Sequence, residues 1–197
     1  MTKEETQEVM EIESLKEPMS IGRIFAESGM FPDIKTQAQA VVKILAGKEL
    51  GLSPFESMKN IYLVSGNLAI QSNALASLIK TNKKYDYKVE TLTDKECKIS
   101  FWLLGDKKEE IGISEFTFQD AAKAGLVNKE NWKSYPKNMM FARALANGVR
   151  FYCPDAACGW HVQEEYEDLL PADRRETITI TPEGNITKED NNGETKL

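Results

Sequence analysis

Apolar residues recur at helical spacing in some stretches of this chain and alternate in others. Between Thr36 and Leu50, Ala38, Val41, Val42 and Leu45 fall at i, i+3, i+4 and i+7, which predicts a helix stopped by Gly51. Ser53-Pro54 reads as the cap and first turn of a brief helical turn through Met58. Asn60 to Gln71 predicts a hairpin, with Ile61-Tyr62-Leu63-Val64 and Leu68-Ala69-Ile70 flanking Ser65-Gly66-Asn67. Ser72 is expected to cap a helix carrying Leu75, Leu78 and Ile79 and ending near Asn82.

Three strands are then expected. Lys84 to Thr91 sets Tyr85, Tyr87 and Val89 against Lys84, Asp86, Lys88 and Glu90. Glu96 to Leu104 places Cys97, Ile99, Phe101 and Leu103 on one face, with Lys98 and Ser100 opposite. Glu110 to Glu115 presents Ile111 and Ile113. Turns at Thr93-Asp94-Lys95 and Gly105-Asp106 make these an antiparallel meander. Thr117 and Asp120 form a capping box for a short helix ending at Gly125. A short helix over Ser20 to Ser28 and a helical turn at Gln163 to Leu170 complete the pattern. The fold class expected is α+β: an antiparallel sheet, hairpin plus three-stranded meander, packed on one face by helices. One domain is expected over residues 20–170. Residues 1–19 and 171–197 are polar, acidic tails expected to be disordered.

One stretch organises the rest: NWKSYPKNMMFARALANGVRFY, from Asn131 to Tyr152. It turns through Ser134 and starts a helix at Pro136, where the missing N–H costs nothing. Met139, Ala142, Leu145, Ala146 and Val149 make its apolar face. Arg143, Asn147 and Arg150 share a second face, and Lys133 and Lys137 stand at its mouth. The stretch holds no Asp or Glu, so it reads as a basic, carboxylate-free stripe whose N-terminus favours anions. The plainer alternative is a core helix with solvated arginines.

Charge sharpens this reading. The chain has 197 residues and a formal net charge of −6. Residues 1–19 carry −4 and residues 162–197 carry −6, which leaves +4 for residues 20–161. Acidic ends on a mildly basic body suit a protein that binds polyanions. Lys80, Lys83, Lys84 and Lys88 cluster where the middle helix meets the sheet, opposed only by Asp86, and Lys59 precedes the hairpin. With Lys133, Lys137, Arg143 and Arg150 they would line one groove that tracks phosphates without reading sequence. Trp132, in a polar loop beside Lys133, is assigned to that groove, and Tyr85 and Tyr87 to the core. Three cysteines, an acidic N-terminus and no apolar run of membrane-spanning length point to a reducing compartment with no membrane partner.

The pattern W-x-x-Y-P-K-x-M-x-x-x-R-A-L-x-x-x-x-R, from Trp132 to Arg150, resembles the closing helix of the phage single-strand annealing proteins, the RecT and lambda Red-beta group. The segment KELGLSPFESMKNIYLVSGNLAIQSNALASLIKTNKKYDYKVE resembles the same family in order and spacing, so that roughly Ile34 to Asp168 is covered. The resemblance implies an α+β core of this kind. It implies ATP-independent binding of single-stranded DNA and annealing of complementary strands in a homo-oligomeric ring or helical filament, without covalent catalysis or cofactor. It marks Trp132, Lys137, Arg143 and Arg150 as DNA-contact positions. Asn138 stands where many relatives carry a second base, one charge fewer. The setting implied is recombination in the cytoplasm of a phage-infected or prophage-carrying bacterium. Larger relatives add a C-terminal module for an exonuclease and the host single-strand binding protein. Here only an acidic tail follows Asp168, which puts those partners in doubt. The nucleic-acid-binding set expected is therefore Lys59, Lys83, Lys84, Trp132, Lys133, Lys137, Arg143 and Arg150.

Rival chemistries are weaker. Gly47-Lys48 fails as a phosphate loop, because Val42 stands where Gly is needed and Glu49 where Ser or Thr is needed. Cys153, Cys158 and His161, with Cys97 as a distant fourth, fall off the usual zinc spacing. Asp86, Glu96 and Lys98 resemble the D…E-x-K layout of metal-dependent nucleases, which needs all three to converge on one ion. His161 alone supplies no nucleophile–base pair. A module of the same fold that protects single strands without annealing them is the other alternative.

Overall fold

A computed structural model of the chain describes residues 16–64, 67–105, 108–157, 159–169, 177–180 and 186–189. The chain is α+β: the described residues form two three-stranded sheets, a separate two-stranded pair and a set of helices. It begins with helix α1 (residues 16–27), α2 (Gln37–Glu49) and α3 (Pro54–Asn60). Both α2 and α3 start on capping boxes, Thr36 with Gln39 and Ser53 with Glu56, in which each side chain satisfies the other's backbone donor. Gly51, at φ 74°, stops α2 where a side chain would be strained.

The buried face of α2 is not the one its aliphatic residues mark. Ala40, Lys43, Ile44 and Gly47 point inward, while Val42 is exposed. The reason is close packing. Gly47 lies against Ser57 of α3, where a β-carbon would overlap the Ser57 side chain. Lys43 is fully buried, its ammonium 2.9 Å from Asp33 and donating to the Met58 carbonyl at 2.9 Å. The Leu63 N–H donates to the same Asp33 carboxylate, so one ion pair ties α2, α3 and the next strand together.

Strands β1 (Ile61–Val64) and β2 (Asn67–Ile70) form the expected antiparallel hairpin. Asn67 is paired with Val64 rather than lying in the turn, and residues 65 and 66 lie outside the described residues. The hairpin does not join the meander. Its sheet is completed by β6 (His161–Val162), parallel to β2 with Ala69 opposite His161. Helix α4 (Ser72–Thr81) follows. Ser72 is its first residue rather than its cap, and its hydroxyl donates to Glu164 at 2.6 Å.

The meander is β3 (Tyr85–Leu92), β4 (Glu96–Leu103) and β5 (Glu109–Thr117), paired antiparallel in that order. Tyr85, Cys97, Ile99 and Phe101 are buried in its inner face, and the charged alternates face outward. In β5 one of the two expected inner residues, Ile111, packs against the core, and the other, Ile113, does not. A bulge between the partners of Phe101 and Trp102 turns Gly112, Ser114 and Phe116 inward and leaves Ile113 exposed. Small residues there let the long helix α7 (Pro136–Tyr152) sit close. The Ser114 hydroxyl donates to the Ala144 carbonyl at 2.7 Å, and Tyr152 fills the space over Gly112. The main core lies between this sheet, α4 and α7.

Helix α5 (Phe118–Lys123) starts on the expected Thr117–Asp120 capping box. Helix α6 (Glu130–Ser134) precedes α7, while α8 (Pro154–Ala157) and α9 (Gln163–Leu169) follow it. Within the segment read as a patternless tail, β7 (Thr177–Ile180) and β8 (Ile186–Glu189) pair antiparallel. The described part of the N-terminal tail, from residue 16, is helical, and residues 1–15 lie outside the described residues. Among the described residues no helix is long and apolar enough to cross a membrane.

Candidate nucleic-acid interface

Helix α7 carries three of the eight candidate residues, Lys137, Arg143 and Arg150. Its expected apolar face is inside: Met139, Ala142, Leu145, Ala146 and Val149 are all buried, joined by Met140, Ala144 and Gly148. Pro136 is in its first turn, which carries no acid, and no side chain among the described residues caps it. The first N–H groups of the helix are left for solvent or an anion. Lys133 and Lys137, before and after Pro136, are exposed. Beside them opens a cavity of about 780 Å³, lined by Asp94, Lys95, Glu96, Phe118, Val127, Trp132, Lys133 and Pro136, with the Phe118 N–H bonded to the Lys95 carbonyl.

Trp132 is placed differently from the expectation. It is 4% exposed and packs on Phe116 with ring centroids 6.0 Å apart. Trp132 lies within helix α6 (Glu130–Ser134) rather than in a polar loop, and its indole is packed into the core. The exposed aromatic ring at this cavity is Phe118, 50% exposed, which the sequence reading passed over. Tyr85 and Tyr87 pack in or against the core, as expected.

The arginine stripe is not carboxylate-free in three dimensions. Arg143 and Arg150 lie on one face as expected, with Arg150 Nη1 donating to Asn147 Oδ1 at 3.3 Å. Helix α9 brings Glu165 onto that face: Oε2 is 2.7 Å from Arg150 Nη2 and Oε1 is 3.7 Å from Arg143 Nη1. His161 Nδ1 lies 3.5 Å from the same carboxylate. The Arg143 side chain is 16% exposed and that of Arg150 42%. In the sequence Glu165 stood out only as one acid near the acidic C-terminal end. Its i, i+4 spacing from His161 and the helical turn at Gln163 to Leu170 were the available signals.

The lysines around the sheet are paired more fully than a single opposing Asp86 suggests. Lys80 and Lys108 both hold Asp86, at 2.6 and 3.0 Å. Burial works to raise the Asp86 pKa, but these two ammonium groups and the Tyr87 N–H outweigh it and hold it at about 2. Lys88 pairs with Glu90 at 2.9 Å. Lys84 pairs with Asp155 of α8 at 2.6 Å, and Tyr85 donates to the other oxygen, which pushes the Lys84 pKa up and the Asp155 pKa down. Lys83 is exposed beside Lys84, and Lys59 is exposed in the last turn of α3. Lys84 and Lys133 therefore sit beyond opposite ends of a 17-residue helix, roughly 25 Å apart along its axis at ~1.5 Å per residue. The eight candidates are distributed along α7 and beyond it, and do not form one cluster.

The nuclease triad does not converge. Asp86 is opposite Trp102, at one end of β4, and Glu96 begins its other end, roughly 20 Å away at ~3.4 Å per residue. Lys98 is opposite Glu115. Cys97 lies beside Phe116 near the start of α7 and Cys153 caps its end, so they do not share a site. Burial pushes both thiols up, Cys97 to about 11 and Cys153 to about 12, which keeps them protonated. Cys158 lies outside the described residues. No protein-family model matches the chain, and a comparison with curated proteins finds no match.

Proposed function

We propose that this chain is a single-strand annealing protein of the RecT and Red-beta kind, binding single-stranded DNA through its phosphates and pairing it with a complement. The observation that carries the reading is the start of α7: an uncapped, acid-free helix N-terminus flanked by exposed Lys133 and Lys137 and opening on a cavity with Phe118 at its wall. Such a site draws phosphates by charge and by free backbone donors, and offers a ring face to a base of any identity. The order of helices, hairpin, meander and closing helix agrees with the resemblance from Ile34 to Asp168.

Annealing in this reading needs no bond to be broken. Lysines displace counterions from each strand, the strand is held extended, and assembly into a ring or filament raises the local concentration of paired segments. Exonuclease and single-strand binding protein partners are not part of the proposal. The test is a strand-annealing assay with labelled complementary oligonucleotides, with and without Mg²⁺, followed by sizing of the products. Full-length duplex formed without nucleotide is expected. Tight binding without acceleration of pairing would make the chain a protecting module instead. Metal-dependent shortening would overturn the reading.

A further inference from the structure

We infer that helix α9 is an autoinhibitory strap, whose Glu165 occupies the arginine face of α7 in place of a DNA phosphate and is displaced when DNA binds. This rests on the proposed binding of single-stranded DNA along α7.

Four observations support it. The Glu165 carboxylate bridges Arg143 and Arg150, the two side chains that share an exposed-side stripe on α7. Its side chain is 7% exposed and sits against both guanidinium groups, while the Arg150 side chain keeps an outer edge 42% exposed. Arg143, at 16% exposed, is covered with it. The segment is acidic throughout: α9 reads QEEYEDL, without a basic residue.

The contact is also exchangeable. A buried carboxylate between two guanidinium groups is tolerable because each charge is met, and removing it alone would strand two cations. A phosphate offers the same charge and more acceptor oxygens, so replacing one anion by the other leaves both arginines paired. The base of the strap is fixed, with Val162 fully buried in the core, and α9 beyond it lies against α7, β1 and β2, so what is displaced is α9 and not β6. The preceding strand, β6, has two residues, and Glu164 is fastened by one hydrogen bond from Ser72 at 2.6 Å. Binding then has two stages. Exposed Lys133 and Lys137 capture the strand, Arg150 offers only its outer edge, and Arg143 engages only after Glu165 leaves.

The experiment uses the full chain and a fluorescein-labelled oligothymidylate, followed by anisotropy across a salt series. Glu165→Gln keeps the shape and removes the charge. It is expected to tighten binding by about ten-fold, within the usual range of intramolecular coupling, and to steepen the salt dependence. Ser72→Ala, which touches neither arginine, is expected to tighten it less. In the wild-type chain, hydrogen exchange across residues 163–169 is expected to speed up when the oligonucleotide is added, and this readout decides the matter if Glu165→Gln fails to fold. Normal binding by the wild type, with no tightening in either variant and unchanged exchange in α9, would show that the strap is structural and overturn the inference alone. Failure of every variant to bind the oligonucleotide would overturn the DNA-binding reading and the strap with it.

Discussion

Gly148 of α7 lies against the Phe101 ring of β4 so closely that a β-carbon at position 148 would overlap it. Ser114 closes the same gap from β5. Gly148→Ala therefore sets two effects against each other. Helix propensity favours alanine by about 1 kcal/mol. Overpacking between helix and sheet costs typically 1–3 kcal/mol, and the ring has the Tyr152 side chain behind it, with centroids 5.7 Å apart. A net loss of up to about 2 kcal/mol in urea unfolding is expected. A gain in stability would show that the helix stands off the sheet.

The buried pair of Lys43 and Asp33 gives a second prediction. Burial pushes the Lys43 pKa down, against the hydrogen bond and charge of Asp33. Asp33→Ala leaves a fully buried ammonium without that carboxylate and is expected to cost about 3 kcal/mol. Adding Lys43→Met removes the stranded charge and should recover most of the loss. The check is a double-mutant cycle by chemical denaturation. Strictly additive losses would mean that the two groups are not coupled.

Asp86 predicts part of the acid limb of stability. Its folded pKa of about 2 lies below the ordinary 3.8. The folded state therefore binds this proton less tightly than the unfolded state. The contribution is complete above about pH 4 and is lost as pH falls toward 2, on the order of 2 kcal/mol for a shift of this size. Asp86→Asn should flatten the stability profile across that window and leave it unchanged in slope near neutrality. An unaltered acid limb would count against the Lys80 and Lys108 contacts.

Trp132 separates packing from binding. Full burial against Phe116 predicts that Trp132→Ala costs about 3–5 kcal/mol of stability. Phe118→Ala, at an exposed ring on the same cavity, should leave the melting temperature nearly unchanged and weaken DNA binding by about 1–3 kcal/mol if bases stack there. The reverse pattern would return Trp132 to the groove.

Lys137→Ala is expected to lower the slope of log affinity against log salt by roughly 0.7, one phosphate contact on a single strand. Glu96→Ala should not weaken strand pairing, since Glu96 stands far from Asp86 and the change only removes an exposed acid from the cavity beside Lys133. Pairing that is indifferent to Lys137, together with Mn²⁺-dependent shortening abolished by Glu96→Ala, would sink the annealing reading.

The elements were largely legible because their signals are local. Capping boxes at Ser53 and Thr117 and the period of α7 each act within a few residues. The misplacements have a different cause. Val42 and Ile113 are apolar yet exposed, because the inward positions beside them are given to Gly47, Gly112 and Ser114, which permit close approach. Lys43 is buried because Asp33 and the Met58 carbonyl, contributed by other segments, meet its charge. Of the site, the lysines at the mouth of α7 could be read from sequence, since exposure at a helix start is local. The Glu165 bridge could not, because its partners are 15 or more residues away and only the fold brings them together.

The parallel pairing of β2 with β6 has a consequence for how the chain comes into being. Ala69 waits for His161, and Ser72 waits for a carboxylate 92 positions later. A nascent chain that has released its hairpin from the ribosome still has an open sheet edge at β2, and it keeps that edge until the last helix of the core has been synthesised. Contacts of such long sequence separation are slow to form, and an unpaired strand edge invites a neighbour. Translation that stalls or terminates before residue 161 would leave Ala69 and Ile70 able to pair with another copy, so that truncated products would tend to aggregate through the hairpin while the full chain closes on itself.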